Sequence, residues 1–117
     1  MLRVSAKNNE VEVDIQGVNG NEAAAGLGVE YGLELMKFAE SLALGDEQAL
    51  AAARDRLLEE AGEEVLVDAA GVAANFQRMV RIADSIGIPV DDVYEQNKKQ
   101  VWEELGIESF ASAQNSL

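Results

Sequence analysis

The chain has 117 residues, 22 of them acidic and 9 basic, and a formal net charge of −13. Its length suits one domain with one core, and a hydrophobic fraction of 48% argues against wholesale disorder. The negative charge repels phosphate backbones and anionic lipid head groups, so we expect neither a nucleic-acid partner nor a membrane partner.

Cysteine and histidine are both missing from the sequence. Without cysteine there is no disulfide framework, thiol redox centre or iron–sulfur cluster. Without histidine there is no imidazole base to activate a serine, and the commonest transition-metal ligand is absent. We therefore predict no cofactor and no metal site. No apolar run approaches the ~20 residues of a membrane span, and the N-terminus is unlike a secretory signal, so the predicted location is cytoplasmic.

Residues 1–28 are predicted to form a β-hairpin followed by a glycine-rich linker. Apolar and polar residues alternate on both sides of the polar stretch 7–10, which suits two short strands and a tight turn. The alternating positions are Leu2, Val4 and Ala6, then Val11, Val13 and Ile15. Residues 17–28, GVNGNEAAAGLG, lack the lysine and the spacing of a phosphate-binding loop. We interpret them as a flexible linker in which NEAAA forms one helical turn.

Residues 29–105 carry the helical period and form the predicted helical core. The first helix runs to about Leu44, Gly45 ends it, and Asp46 caps a second helix over 47–61. Gly62 then interrupts the chain.

A central helix over 63–86 ends at Gly87, and Pro89 prevents its continuation. A last helix is predicted from Asp91 to about Leu105, and it carries the single tryptophan, Trp102. Residues 106–117 have no period and are predicted to be a frayed tail.

The central helix organises the chain in this interpretation. Its apolar residues recur in alternating steps of four and three: Val65, Ala69, Val72, Phe76, Met79, Ala83 and Ile86. At 1.5 Å per residue it would be roughly 36 Å long and would cross the whole domain. We expect Phe76 to be a core residue, so that Phe76→Ala costs about 3–5 kcal/mol.

Three polar residues of this helix form the candidate site. Asp68 and Asn75 are seven positions apart and share a face, and Arg78 follows about one turn later. Such a seam sets helix register, lines a small pocket, or is the solvated edge of the helix. A carboxylate-rich corner at 59–68 is interpreted as structural, because the helix dipole favours acids at a helix N-terminus.

The central helix also carries a family resemblance. The run LVDAAGVAANFQRMVRIADSIGI resembles the last long helix of the alkylhydroperoxidase D-like, or carboxymuconolactone decarboxylase-like, superfamily, in its peroxidase-related branch. The matching positions are Phe76, Arg81, Ala83, Asp84 and Gly87, and the segment 38–40, Phe-Ala-Glu, resembles an upstream helix. The resemblance covers about residues 29–90 and implies an all-helical fold that assembles through helices.

The catalytic element of that superfamily has no counterpart here. Its enzymes carry a Glu-x-x-x-Cys-x-x-Cys-x-x-His element, and this chain has neither cysteine nor histidine. Thiol peroxidase chemistry is therefore excluded, and no catalytic residue of the family can be carried over.

These observations predict a mainly α fold, an alkylhydroperoxidase D-like bundle of about four helices with a short N-terminal hairpin, as a single domain over 1–117. Two functions fit it. The first is a non-catalytic helical module that acts by self-association or partner binding. The second is a small-molecule enzyme of the carboxymuconolactone decarboxylase-like type, with a carboxylate and arginine pocket and an unknown ligand. The width of the apolar face further predicts a homodimer.

Overall fold

The structure, a computed structural model, describes residues 7–88 and 95–110. These residues are mainly helical, as predicted, and no strand occurs among them. The elements in chain order are a 3₁₀ helix, Ile15–Asn19; α1, Glu22–Ala25; α2, Gly32–Leu44; α3, Glu47–Ile86; α4, Glu95–Leu105; and a second 3₁₀ helix, Ile107–Ser109.

The chain divides by its internal contacts into two compact units, Met1–Gln77 and Arg78–Leu117. The first contains the first 3₁₀ helix, α1, α2 and most of α3. The second contains the last turns of α3, α4 and the second 3₁₀ helix. Chain length does not reveal this division.

The predicted hairpin is not found among the described residues. Its first run lies in 1–6, outside them, and its second run is not a strand: residues 11–14 have no regular structure and Ile15 begins a 3₁₀ helix. A tight turn does form, since the Glu10 amide donates to the Lys7 carbonyl at 3.3 Å. The chain then turns helical because the Asp14 carboxylate accepts from the Gln16 amide at 2.9 Å and caps the 3₁₀ helix.

The glycine-rich segment is a packed element rather than the predicted flexible linker. The expected helical turn is present as α1, where the Asn21 side chain accepts from the Ala24 amide at 3.1 Å. Gly17 packs its backbone on α1, where a Cβ would lie 2.9 Å from the Ala25 Cα. Gly28 has φ +74°, and a Cβ there would collide with the Glu12 carbonyl oxygen. Side chains are excluded at both glycines, so the two backbones can approach closely.

The helix boundaries within 45–87 agree with the sequence. Gly45 ends α2 in the left-handed conformation at φ 71°, and the Asp46 carboxylate accepts from the Ala49 amide at 2.9 Å. Gly62 leaves the helical conformation at φ 87° and ψ 174°, so α3 consists of the two predicted segments, 47–61 and 63–86. Gly87 at φ 63° closes the second segment.

The end of α3 is a Schellman motif. The Ile88 amide donates to the Ala83 carbonyl at 3.1 Å, and the Gly87 amide donates to the Asp84 carbonyl at 3.4 Å. Pro89, which is predicted to prevent continuation of the helix, and the predicted start of the last helix at Asp91 lie outside the described residues.

The core of the first unit is small and lies away from segment 63–86. Among the described residues the buried apolar side chains are Ile15, Ala24, Ala25, Phe38 and Leu57, and Leu57 is completely buried. Phe76 is 61% exposed, so the expectation that it is a core residue is wrong for the single chain. The first 3₁₀ helix and α1 pack on each other and on α2, and they leave the face of Phe76 open.

The second unit carries α4 and a short 3₁₀ helix that contacts it. Val101, Trp102 and Leu105 of α4 are half-buried. The described part of the predicted frayed tail is ordered as a turn, since the Ser109 hydroxyl donates to the Gly106 carbonyl at 2.7 Å.

Candidate functional site

A cavity of about 560 Å³ lies between α2 and the segment 47–61 of α3. One helix face lines each side. The wall from α2 carries Leu33, Glu34, Lys37, Glu40, Ser41 and Leu44, and the opposite wall carries Ala49, Ala52, Ala53 and Arg56, with Asp46 at the turn. The volume is within the usual range of small-molecule pockets, about 300–1,000 Å³.

The cavity exists because its second wall is made of short side chains. Ala49, Ala52 and Ala53 recur on one face of the helix and cannot reach across to the leucines of α2. The contrast between an alanine face and a leucine face in consecutive helices is the signal that could have located the cavity.

The charged side chains at the cavity are engaged in ion pairs. The Lys37 Nζ lies 3.0 Å from a Glu22 carboxylate oxygen of α1, and an Arg56 guanidinium nitrogen lies 3.0 Å from a Glu60 carboxylate oxygen. The second pair joins positions i and i+4 of one helix, which are neighbours on the helix surface. All four side chains are at least 44% exposed, so each pair contributes less than about 1 kcal/mol.

Ser41 is the buried polar residue of the cavity wall, with 6% exposure. Its hydroxyl donates to the Lys37 carbonyl at 2.8 Å, and the Phe38 carbonyl lies 3.1 Å away. The hydroxyl is thus satisfied by the carbonyls of its own helix.

Tyr31 stands at the start of α2, in the left-handed conformation at φ 54°. The negative charge of Glu30 raises the pKa of Tyr31 above its ordinary value of 10.0, and the hydrogen bond from the hydroxyl to the Glu30 carboxylate adds to this shift. Burial and the charge of Glu60 contribute less. The phenol therefore stays protonated, and neutral, at physiological pH.

The sequence-predicted site residues do not line this cavity. Asp68, Asn75 and Arg78 are all exposed on segment 63–86 of α3. Asp68 and Asn75 belong to the first unit, and Arg78 begins the second. Their role in a pocket or in helix register stays a prediction.

The second notable surface is the apolar face of segment 63–86. We define this apolar face as Val65, Ala69, Val72, Phe76, Met79, Ala83 and Ile86. Four of its large members are more than half exposed, Val72 by 58%, Phe76 by 61%, Met79 by 52% and Ile86 by 67%, whereas Val65 is half-buried. Large apolar side chains in a row at helical spacing are typical of an interaction surface rather than of a solvated helix face.

The described residues hold no group of three or more carboxylates placed to bind a metal ion. Over the same residues, no helix combines the length and apolar character that crossing a bilayer requires.

In comparisons with known proteins, no family model, no curated protein and no solved structure matches this chain. The resemblance to alkylhydroperoxidase D-like proteins therefore rests on the sequence motifs alone.

Proposed function

We propose that this protein is a non-catalytic helical module that acts by self-association, as a homodimer formed through the apolar face of segment 63–86. The observation that carries the proposal is the exposure of Val72, Phe76, Met79 and Ile86 in the single chain. Burying a side chain of this size stabilises a protein by about 1.5–3 kcal/mol. A second copy that covers the face would gain this stabilisation on both chains.

The alkylhydroperoxidase D-like relationship and a cytoplasmic location belong to the same proposal. Support for the relationship comes from the motif around Phe76, Arg81 and Gly87 and from the mainly helical architecture. The chain would then be a relative that has kept a helical scaffold and its habit of assembly while lacking the redox cysteines.

The proposal is tested by the mass of the protein in solution. Size-exclusion chromatography with light scattering at micromolar concentration should give twice the 12.6 kDa mass of one chain. Phe76→Asp should shift the mass to that of one chain, because a carboxylate cannot be buried in an apolar interface without a partner.

Phe110→Asp is the matched control, because Phe110 is 52% exposed and lies outside the apolar face. It should leave the mass of the wild-type protein unchanged. A wild-type mass of 12.6 kDa that persists as the concentration rises would reject the homodimer.

The cavity between α2 and 47–61 supports a second candidate, a small-molecule enzyme or binding protein of the carboxymuconolactone decarboxylase-like type. Here Arg56 and Lys37 would contact an acidic ligand, in place of the predicted Asp68, Asn75 and Arg78. Thermal-shift screening against small carboxylic acids tests it, with Ala52→Leu as the variant that fills the cavity. A ligand that stabilises the wild type but not Ala52→Leu would favour this candidate.

A further inference from the structure

An asparagine followed by glycine lies at the end of the first 3₁₀ helix. Asn19 is the last residue of that helix, Gly20 follows it, and both are exposed. Every other asparagine of the chain is followed by a residue with a side chain. Glycine has no Cβ to hinder its backbone nitrogen, so this pair allows the main chain to attack the asparagine side chain more readily than any other pair does.

The reaction uses only these two residues and water. The Gly20 backbone nitrogen attacks the Asn19 Cγ and forms a succinimide ring. The bond from Cγ to the side-chain amide nitrogen breaks, and that nitrogen leaves as ammonia with the proton of the attacking nitrogen. Water then opens the ring at either carbonyl. One opening yields aspartate, and the other yields isoaspartate, in which the main chain runs through the former side chain. Asparagine is for this reason a thermolabile residue.

The folded backbone holds the reacting atoms away from this geometry. The Gly20 amide donates to the Gly17 carbonyl at 3.2 Å, and the next amide, that of Asn21, donates to the Gln16 carbonyl at 3.2 Å. The Asn19 side-chain amide donates to the Gln16 side-chain oxygen at 3.3 Å. Ring closure requires Asn19 to leave the ψ of a 3₁₀ helix, about −20 to −30°, and this rotation breaks these hydrogen bonds.

We propose that Asn19 is a self-modification site, which its own backbone converts to isoaspartate when the first 3₁₀ helix opens locally. Short exposed segments open at a lower free energy than the core of a protein does. The rate in the folded protein is then the rate of the open chain multiplied by the fraction of molecules that are open. The inference does not depend on the proposed homodimer, because residues 15–20 lie outside segment 63–86.

Isoaspartate at position 19 prevents the segment from packing as before, because it adds a carbon to the main chain between Gly17 and Asn21. These two residues hold the segment against α1. The Gly17 backbone lies close to Ala25, and the Asn21 side chain accepts from the Ala24 amide at 3.1 Å. A close-packed contact does not absorb an extra carbon, so one of the two contacts is lost. The modification is therefore a one-way release of the helix from α1.

The rates in native and denaturing conditions test whether opening is required. The protein is incubated with and without guanidinium chloride, and the peptide that contains Asn19 is analysed by mass spectrometry after chromatographic separation of aspartate from isoaspartate. Modification should be about tenfold or more slower in the folded protein, which corresponds to an opening free energy of ~1.4 kcal/mol. Equal rates overturn the requirement for opening. An unmodified Asn19 in the denatured chain overturns the site itself.

Asp14→Ala tests whether the opening is local. The Asp14 carboxylate caps the first 3₁₀ helix by accepting from the Gln16 amide at 2.9 Å. Its loss should speed the modification of Asn19 in the folded protein about two- to thirtyfold and leave the rate in denaturant unchanged. Asp46→Ala is the matched control, because it removes a cap of the same length at the start of α3. Equal acceleration by both variants means global unfolding and overturns the local opening, and so does an unchanged rate in Asp14→Ala.

Melting temperatures test the structural consequence. Asn19→Asp is the control, because it adds the same negative charge as the modification without lengthening the main chain. The isoaspartate form, purified by chromatography from aged protein, should melt a few degrees below Asn19→Asp. Equal melting temperatures overturn the release of the helix from α1.

Discussion

At the scale of single residues, Leu57 is a core residue, whereas Phe76, which the sequence predicts to be buried, is exposed. Leu57 is completely buried in the first unit, so we expect Leu57→Ala to cost about 2–5 kcal/mol of unfolding free energy. Its neighbour Leu58 is 45% exposed, and Leu58→Ala should cost less than about 1 kcal/mol. Urea unfolding of both variants in a Phe76→Asp background keeps the comparison on the single chain. Equal losses would contradict the core described here.

Tyr31 gives a residue-scale prediction with a defined direction in pH. Because the folded pKa of Tyr31 is raised above 10.0, folding favours the neutral phenol. The stability that this contributes is fully present below pH 10 and is lost as the pH rises through the folded pKa. Glu30→Gln removes the negative charge that is the largest cause of the raised pKa, so the pKa of Tyr31 should move down towards 10.0.

Phenolate absorbance measures this pKa. The chain has two tyrosines, so the titration is made in a Tyr94→Phe background, where Tyr31 is the only tyrosine. Glu34→Gln, one turn further along α2, is the control that should leave the midpoint in place. An unchanged midpoint in Glu30→Gln would show that Glu30 is not the cause.

At the scale of elements, the sequence predicts boundaries well where they depend on one or two neighbouring residues. The cap at Asp46, the break at Gly62 and the end at Gly87 all follow from local backbone chemistry. The alternation at 11–15 is equally local and was misleading. The alternation does not reveal that Asp14 caps a 3₁₀ helix. It also does not reveal that the backbone at Gly28 lies close to the Glu12 carbonyl, which brings this segment against its neighbours.

The cap at Asp46 provides the element-scale prediction. Asp46→Ala removes the acceptor of the Ala49 amide and should cost about 0.5–2 kcal/mol of unfolding free energy. Asp46→Asn keeps an acceptor oxygen and should cost clearly less. Equal losses in the two variants, measured by urea unfolding, would mean that the contribution of Asp46 comes from its charge rather than from the hydrogen bond.

At the scale of the whole molecule, the sequence predicts an apolar face but does not say what covers it. Periodicity places Val72, Phe76 and Met79 on one side of a helix. The periodicity is the same whether another part of this chain or a second chain packs on that side. The candidate site shows the same limit. Helical spacing predicts Asp68, Asn75 and Arg78, whereas the cavity arises because the alanines of 47–61 face the longer side chains of α2, which depends on how two helices pack.

A small core combined with an exposed apolar face links folding to association. We therefore expect the melting temperature to rise with protein concentration, because a tenfold increase adds about 1.4 kcal/mol to the apparent stability of a dimer. For a chain of this size the rise should be a few degrees. Differential scanning calorimetry over a hundredfold concentration range measures it. The melting temperature of Phe76→Asp should be independent of concentration, and a wild type that behaves in the same way would contradict the linkage.

The close backbone contacts at Gly17 and Gly28 determine how this chain tolerates change. A Cβ at Gly17 meets α1, and at Gly28 it meets the Glu12 carbonyl while the backbone also needs a positive φ. In a saturation-mutagenesis library selected for folded protein, we expect these two positions to keep glycine. Val18, which is 70% exposed between them, should accept many residues. Substitutions in this stretch would then be restricted at residues 17 and 28, where no side chain fits. Relatives of this protein would be recognisable by the spacing of those two glycines.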